Sequence, residues 1–394
     1  MPIGLLALTI GSFGIGLTEF VILGLLPQVA EDFGVDIPTA GHLVSGYAIS
    51  VAIGGVFITA LASGRKPKHV LMLLMGLFIV GNFVSAIADS YTVMFIGRVI
   101  AALCHGAFFG VGAVLAATMV PPHRKAAAVS LMFAGLTTAN VLGVPFGTFI
   151  GQSFGWRSTF WCITVIGVIA LFGIGLLVKN VETSRTSKLR DEIRAFRNPQ
   201  VWFSILITVF GFGAMFGTFT YIAPMLTDIA GFPEGAIPWM LVVFGLGLFV
   251  GNILGGRAAD RALSKTLFIL LASLTLILLV FSPALHLPWT AVIVLFLLGT
   301  VGFAAVPGMQ IRVLNFAHEA PTLASGVNIS AFNLGNAIGA YLGGLTIAAG
   351  FGVSSPSLVG AALAAIALLL LLTATLVQKK TKAADPELKV VTAP

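Results

Sequence analysis

Long apolar stretches, each closed by a short polar break, recur twelve times along the 394 residues. They cover roughly 5–26, 40–63, 70–88, 92–119, 126–150, 158–178, 201–226, 236–259, 266–283, 288–314, 322–349 and 355–377. About 20 apolar residues, rising ~1.5 Å each as a helix, cross ~30 Å of hydrocarbon. Each stretch therefore predicts one membrane-spanning helix, and the expected fold class is an all-α membrane protein. One long polar segment, Lys179 to Pro199, divides six spans from six. The expected organisation is a six-helix bundle over 1–178, a cytoplasmic linker over 179–200, a second bundle over 201–378 and a cytoplasmic tail over 379–394.

The two halves repeat each other weakly. Leu26-Pro27-Gln28-Val29-Ala30-Glu31 closes the first span, and Ala223-Pro224-Met225-Leu226-Thr227-Asp228 closes the seventh. Gly54-Gly55 in the second span is matched by Gly255-Gly256 in the eighth. Gly143, Gly147 and Gly151 in the fifth are matched by Gly335, Gly339 and Gly343 in the eleventh. Three matches in the same order at nearly constant offset point to a parallel six-plus-six repeat, with a substrate site between the halves near mid-membrane.

Charge then orients the spans. The 21 Lys and Arg residues fall largely on one set of loops: Arg65, Lys66 and Lys68, then Arg124 and Lys125, then six from Lys179 to Arg197. The same side holds Arg257, Arg261, Lys265, Arg312 and the C-terminal lysines. The other side carries Glu31, Asp32, Asp36, Asp89, Asp228 and Glu234, with Arg157 as its one basic loop residue. Under the positive-inside rule both termini are cytoplasmic, and the expected location is a bacterial inner membrane. A 58% hydrophobic fraction, 9% charge and a mean hydropathy of +1.06 exclude a soluble or disordered class. The net charge of +7 sits beside spans, so it fits anionic lipid better than nucleic acid. No cleavable signal is visible, and the first span is its own insertion signal. Cys104 and Cys162 both fall inside spans, which predicts two reduced, buried thiols and no disulfide framework.

Few polar groups interrupt the apolar stretches, and those few are the candidate chemistry. Glu19 lies about seven residues, ~10 Å, from the outer end of the first span. A carboxylate there is costly and faces a cavity or a partner, which makes it a candidate proton carrier or a structural, hydrogen-bonded carboxyl. Arg98 lies at similar depth in the fourth span and needs an anionic partner or a cage of carbonyls. His105 and Phe109 follow it on one helical stripe; His105 reads as a relay, a substrate contact or a packed residue. No metal-ligand spacing accompanies it, so neither a metal nor a cofactor is expected.

Asn252, Asn328, Asn333 and Asn336, with Gln310 and Asn140, are amides that must find partners or line water. Tyr47, Phe109, Phe216 and Tyr221 could wall a cavity. Gly143, Pro145 and Gly147 combine close helix approach with a lost backbone hydrogen bond, suiting a helix that moves. The chain has no G-x-x-x-x-G-K-[ST] phosphate loop, no H-E-x-x-H helix and no G-x-S-x-G elbow, so neither an ATPase domain nor an enzyme is expected.

Over nearly its whole length the chain resembles the twelve-span drug:proton antiporter group of the major facilitator superfamily. Within that group it is similar to the bacterial arabinose-type sugar efflux permeases, which neighbour the purine-nucleoside exporters. The resemblance rests on Thr18-Glu19-Phe20, Gly97-Arg98 with His105-Gly106-Ala107-Phe108-Phe109-Gly110, Gly143-Val144-Pro145-Phe146-Gly147, and Gly155-Trp156-Arg157. Gly255-Gly256-Arg257-Ala258-Ala259-Asp260-Arg261 resembles the superfamily's G-x-x-x-D-R loop. Its first-half counterpart keeps Arg65 but has Ser63 where the family places an aspartate, so a salt-bridge latch is expected only through Asp260 and Arg261. The resemblance implies proton coupling through Glu19 and Arg98, with export powered by the proton gradient. The expected function is antiport of sugars, nucleosides or drugs by a monomer; the rivals are an uncoupled facilitator or importer, and a transporter-like sensor.

Overall fold

The computed structural model describes residues 2–62, 65–121, 125–179, 195–317 and 321–384. Ser63, most of the linker expected over 179–200 and residues 385–394 of the tail lie outside the described residues. Among the described residues every regular element is helical. That is the outcome expected where no water can satisfy backbone N–H and C=O groups.

Helices α1 (Gly4–Phe33), α2 (Ile37–Ala62) and α3 (Pro67–Ala86) are continuous. The fourth span is divided at Cys104 into α4 (Tyr91–Leu103) and α5 (His105–Thr118). The fifth comprises α6 (Lys125–Thr138) and α7 (Val144–Phe154) around a π-helical turn, Ala139–Gly143. Helix α8 (Trp156–Leu177) ends the first half. The second opens with α9 (Pro199–Phe219) and the short α10 (Ile222–Asp228), which together form the seventh span.

Helix α11 (Ile237–Ala284) holds the eighth and ninth spans, parted by non-helical backbone at Ala262 (φ −157°, ψ 73°). Helices α12 (Pro288–Phe316), α13 (Pro321–Ala348) and α14 (Pro356–Ala384) complete the chain. Nine segments among the described residues are long and apolar enough to cross a membrane. One of them contains both the eighth and the ninth span, and α2 and α13 bring the spans to the expected twelve.

The repeated glycines show how the halves correspond. Gly143, Gly147 and Gly151 lie against α1, where a Cβ would meet Phe13, Val21 and Leu25. In the second half Gly335 and Gly339 lie against the α9 backbone, where a Cβ at Gly339 would sit 2.9 Å from Gly217 N. In the first bundle, then, the glycine face of the fifth span receives side chains of α1, and in the second the matching face packs directly on the α9 backbone.

The bundles meet along α2 with α13, and along the π turn and α7 with α11. Polar contact between them lies at the end that carries Asp32. There the Tyr221 hydroxyl of the second bundle donates to Ala340 O at 2.8 Å and lies against Gly41 of the first. Gln152 donates to Glu234 O at 3.0 Å across the same seam. Phe20 stacks on Phe216 with ring centroids 5.2 Å apart. At the opposite end, which carries Arg65, no hydrogen bond joins the halves among the described residues. The molecule is closed across the Asp32 end.

Candidate functional site

Helix α1 brings Thr18 and Glu19 to mid-bundle on a stretch in which every residue from Gly14 to Leu26 is buried. Helix α4 lays Arg98 beside them. Its guanidinium donates to the backbone carbonyl of Thr18, to Glu19 O at 3.3 Å and, more distantly, to Thr18 Oγ1 at 3.5 Å. It also lies over the Tyr47 ring, with Cζ 4.1 Å from the ring centroid. Arg98 therefore holds the α1 backbone, and an aromatic face covers it. It makes no ion pair within 4 Å of the Glu19 carboxylate among the described residues; its positive charge acts on that carboxylate through space.

The carboxylate faces His105 instead, with Oε2 3.8 Å from Nδ1. That nitrogen is also 3.3 Å from the Tyr47 hydroxyl. The break after Leu103 places His105 at the start of α5, with its ring 5.2 Å from Phe109. Phe109 in turn stacks on Phe133 at 5.0 Å. Glu19, Arg98, His105 and Tyr47 thus form one buried polar cluster drawn from α1, α2, α4 and α5. A carboxyl, an imidazole and a phenol within reach of one another can pass a proton among oxygen and nitrogen atoms. The neighbouring arginine adds a fixed positive charge beside them.

Two members of this cluster were not singled out from the sequence. Thr18 donates to Asn82 Oδ1 at 2.5 Å, and Asn82 Nδ2 donates to Phe78 O at 2.9 Å. Asn82 thereby ties the arginine-bound turn of α1 to α3. It is a fully buried amide inside a span, so the reasoning applied to Asn328 would have found it.

The second bundle has its own polar set. Asn328 donates to Gln310 Oε1 at 2.6 Å, and Gln310 donates to Ser325 Oγ at 2.9 Å. Asn333 donates to Ile329 O at 3.1 Å. The side-chain carbonyl oxygens of Asn328, Asn333 and Asn336 are buried, with no hydrogen-bond partner among the described residues. Arg312, counted above with the basic loop residues, is buried in α12 and donates to Gln200 Oε1 at 3.2 Å.

The remaining candidates are dispersed. Tyr221 belongs to the seam at the Asp32 end, and Phe216 pairs with Phe20 across it. Asn140 sits half-buried in the π turn, its carbonyl facing Gly245. Pro145 lies in the first turn of α7, and the π turn just before it, closed by the Val144 N–H on Ala139 O, absorbs the irregularity. Arg65, Asp260 and Arg261 are exposed and form no ion pair among the described residues. Two cavities are outlined, and neither contains Glu19. One of about 320 Å³ lies beside Gln28, Asp32 and Trp156, and one of about 540 Å³ lies between α2, α4 and α13.

The family model of the Major Facilitator Superfamily matches residues 8–325 and 231–394. The chain belongs to the Major Facilitator Superfamily. It is a membrane transporter and not an enzyme. It is 43% identical over 377 residues to the inner membrane transport protein YdhP of Escherichia coli K12, covering 96% of this chain and 97% of that one. The putative transporter AraJ of the same organism is 35% identical, with 88% of each chain covered. The chloramphenicol resistance protein of Streptomyces lividans is 33% identical over 94% of this chain and 95% of its own. Among solved structures, a bacterial homologue of the lysosomal transporter Spinster, inward-facing and occupied, superposes with a TM-score of 0.71 at 18% identity. That superposition covers 94% of this chain and 96% of the other. Twelve helices in two six-helix bundles are the fold that this superfamily membership entails.

Proposed function

We propose that the protein is a proton-coupled exporter of small organic molecules in a bacterial inner membrane. It works as a monomer by alternating access, with both termini in the cytoplasm. The observation that carries the reading is the buried Glu19–His105–Tyr47 cluster held under Arg98. A carboxyl so deep in a span, 3.8 Å from a second proton-accepting group and with no Lys or Arg paired to it among the described residues, is costly without a role. The name of the Streptomyces relative, a chloramphenicol resistance protein, supports outward transport of a drug-like molecule.

In this reading the closed Asp32 end faces outward, and the described conformation is open toward the cytoplasm. When the Asp32 end opens, Glu19 takes a proton from outside and substrate leaves. When the molecule returns, the proton passes by way of His105 toward the cytoplasm and substrate enters between the bundles. Arg98 keeps the α1 turn in place and favours the emptied carboxylate. The proton gradient is the energy source, with no bound cofactor. One proton moving through ~100 mV and one pH unit releases about 2.3 and 1.4 kcal/mol. Together these sustain a gradient of several hundred-fold for a neutral substrate.

The test is substrate-dependent proton movement in proteoliposomes of the purified protein, across chloramphenicol, sugars, nucleosides and cationic dyes. Proton flux opposite in direction to a panel member, and absent without it, is the expected result. Substrate movement indifferent to an imposed pH gradient would convert the reading to an uncoupled facilitator.

A further inference from the structure

The larger cavity lies outside the transport site and at the junction of the two bundles. Its walls are two helical stripes: His42, Ser45 and Ile49 on α2, and Leu334, Ile338 and Tyr341 on α13. Each stripe follows the i, i+3 or i+4, i+7 spacing of a single helix face. Both faces are turned away from the bundle interiors. Ile49 stands two residues, about 200° of helical rotation, from Tyr47, which covers Arg98. Tyr341 stands two residues from Gly339, which packs on α9. The groove therefore opens sideways, toward the bilayer, with Ile49, Leu334 and Tyr341 exposed in it.

Its polarity is graded along the membrane normal. At the outer end are His42, Thr92 and Tyr341, with the His42 and Tyr341 rings stacked across the seam at 5.8 Å. Seven residues deeper on each helix, ~10 Å, the walls are Ile49 and Leu334, with Phe95 of α4 on the floor against Gly46. Polar groups at headgroup level above an apolar slot match the shape and chemistry of one lipid molecule. The cavity of about 540 Å³ is within the ~300–1,000 Å³ span of ordinary ligand sites. Among the described lining residues, His42 alone can be charged near neutral pH, which favours hydrogen bonding to a headgroup over capture of an anion.

We propose that this groove is a site for a bilayer phospholipid. One acyl chain lies between Ile49, Phe95 and Leu334, and the glycerol-phosphate region is hydrogen-bonded by His42 and Tyr341. One wall belongs to the first bundle and the other to the second. The site is intact only while α2 and α13 lie together at the Asp32 end, so bound lipid favours that closed state and is released when the end opens. This goes beyond the transport reading and holds whatever the coupling ion.

The experiment uses the full chain reconstituted in phosphatidylethanolamine and phosphatidylglycerol, then extracted in mild detergent and weighed by native mass spectrometry through stepwise lipid removal. Wild type should retain one phospholipid per chain after the others are gone. Ile49→Trp with Leu334→Trp, which fills the slot, should lose it. Val165→Trp with Ile169→Trp, on the exposed apolar face of α8, should retain it. Wild type without a retained phospholipid, or retention by the slot-filling variant, overturns the proposal; so does a dimer mass in place of a lipid adduct.

A second measurement needs no variant. A phospholipid with a photoreactive acyl chain should label peptides containing Ile49 and Leu334, and labelling confined to other helices contradicts the site.

Discussion

Arg98 does two jobs that one side chain rarely combines. It spans the carbonyls of Thr18 and Glu19 while its cation sits over the Tyr47 ring. Only a planar guanidinium offers forked donors and a stacking face together. Arg98→Lys keeps the charge but not that geometry. Transport should fall about tenfold or more, the equivalent of ~1.4 kcal/mol, with the protein still folded; an initial-rate assay at saturating substrate checks this. Asn82 acts one step further out, since it accepts from the Thr18 hydroxyl. Asn82→Ala leaves that buried hydroxyl without its acceptor and should cost about 1–3 kcal/mol, read from thermal unfolding.

Glu19, Arg98 and His105 were legible in the sequence because charge inside a span stands out against an apolar background. Their relation was not. Sequence depth placed Glu19 and Arg98 level, whereas the arginine grips backbone carbonyls and leaves the carboxylate to His105. Which atom a long side chain reaches depends on helix rotation, which spacing within one helix does not specify.

At the scale of the element, glycine faces decide how closely helices approach. Gly339 on α13 sits against Gly217 on α9, and a Cβ there would lie 3.0 Å from Gly217 Cα. Gly339→Val should therefore push the two helices apart at a cost of about 1–3 kcal/mol, as overpacking does. A lowered unfolding temperature with an unchanged helical spectrum is the expected readout. The glycine repeats were visible as a pattern, and so were the twelve spans. The internal breaks were less so. Pro145 pointed to an irregular fifth span, but the deviation is a π turn upstream of it, where the missing N–H is accommodated. The break at Cys104 and the run from eighth to ninth span with one non-helical residue carry no local sequence signal. Tertiary packing sets both.

The whole molecule is a pair of bundles that meet at the Asp32 end, and the proposed transport cycle requires that end to part. The Asp32 end is closed by Tyr221 on Gly41 and by Gln152 on Glu234, and Phe20 stacks on Phe216 deeper in the molecule, at the level of Glu19. Gly41→Phe leaves each bundle's own packing intact but leaves no room for the Tyr221 ring at the seam. It should abolish transport while the unfolding temperature stays near wild type; full activity would show that closure there is not required. The seam was hidden in the sequence because Tyr221 and Phe216 read equally well as cavity walls. Only the relative placement of the halves makes them closure contacts.

The central claim is that Glu19 couples a proton to substrate movement. Proteoliposomes separate that role from a structural one by comparing two modes on the same preparation: accumulation against a gradient driven by an imposed pH difference, and substrate-for-substrate exchange with no gradient. Glu19→Gln should lose the first and keep the second, because exchange needs the bundles to rock with substrate bound but needs no proton released. A Glu19→Gln protein that still accumulates substrate as wild type does would contradict the account.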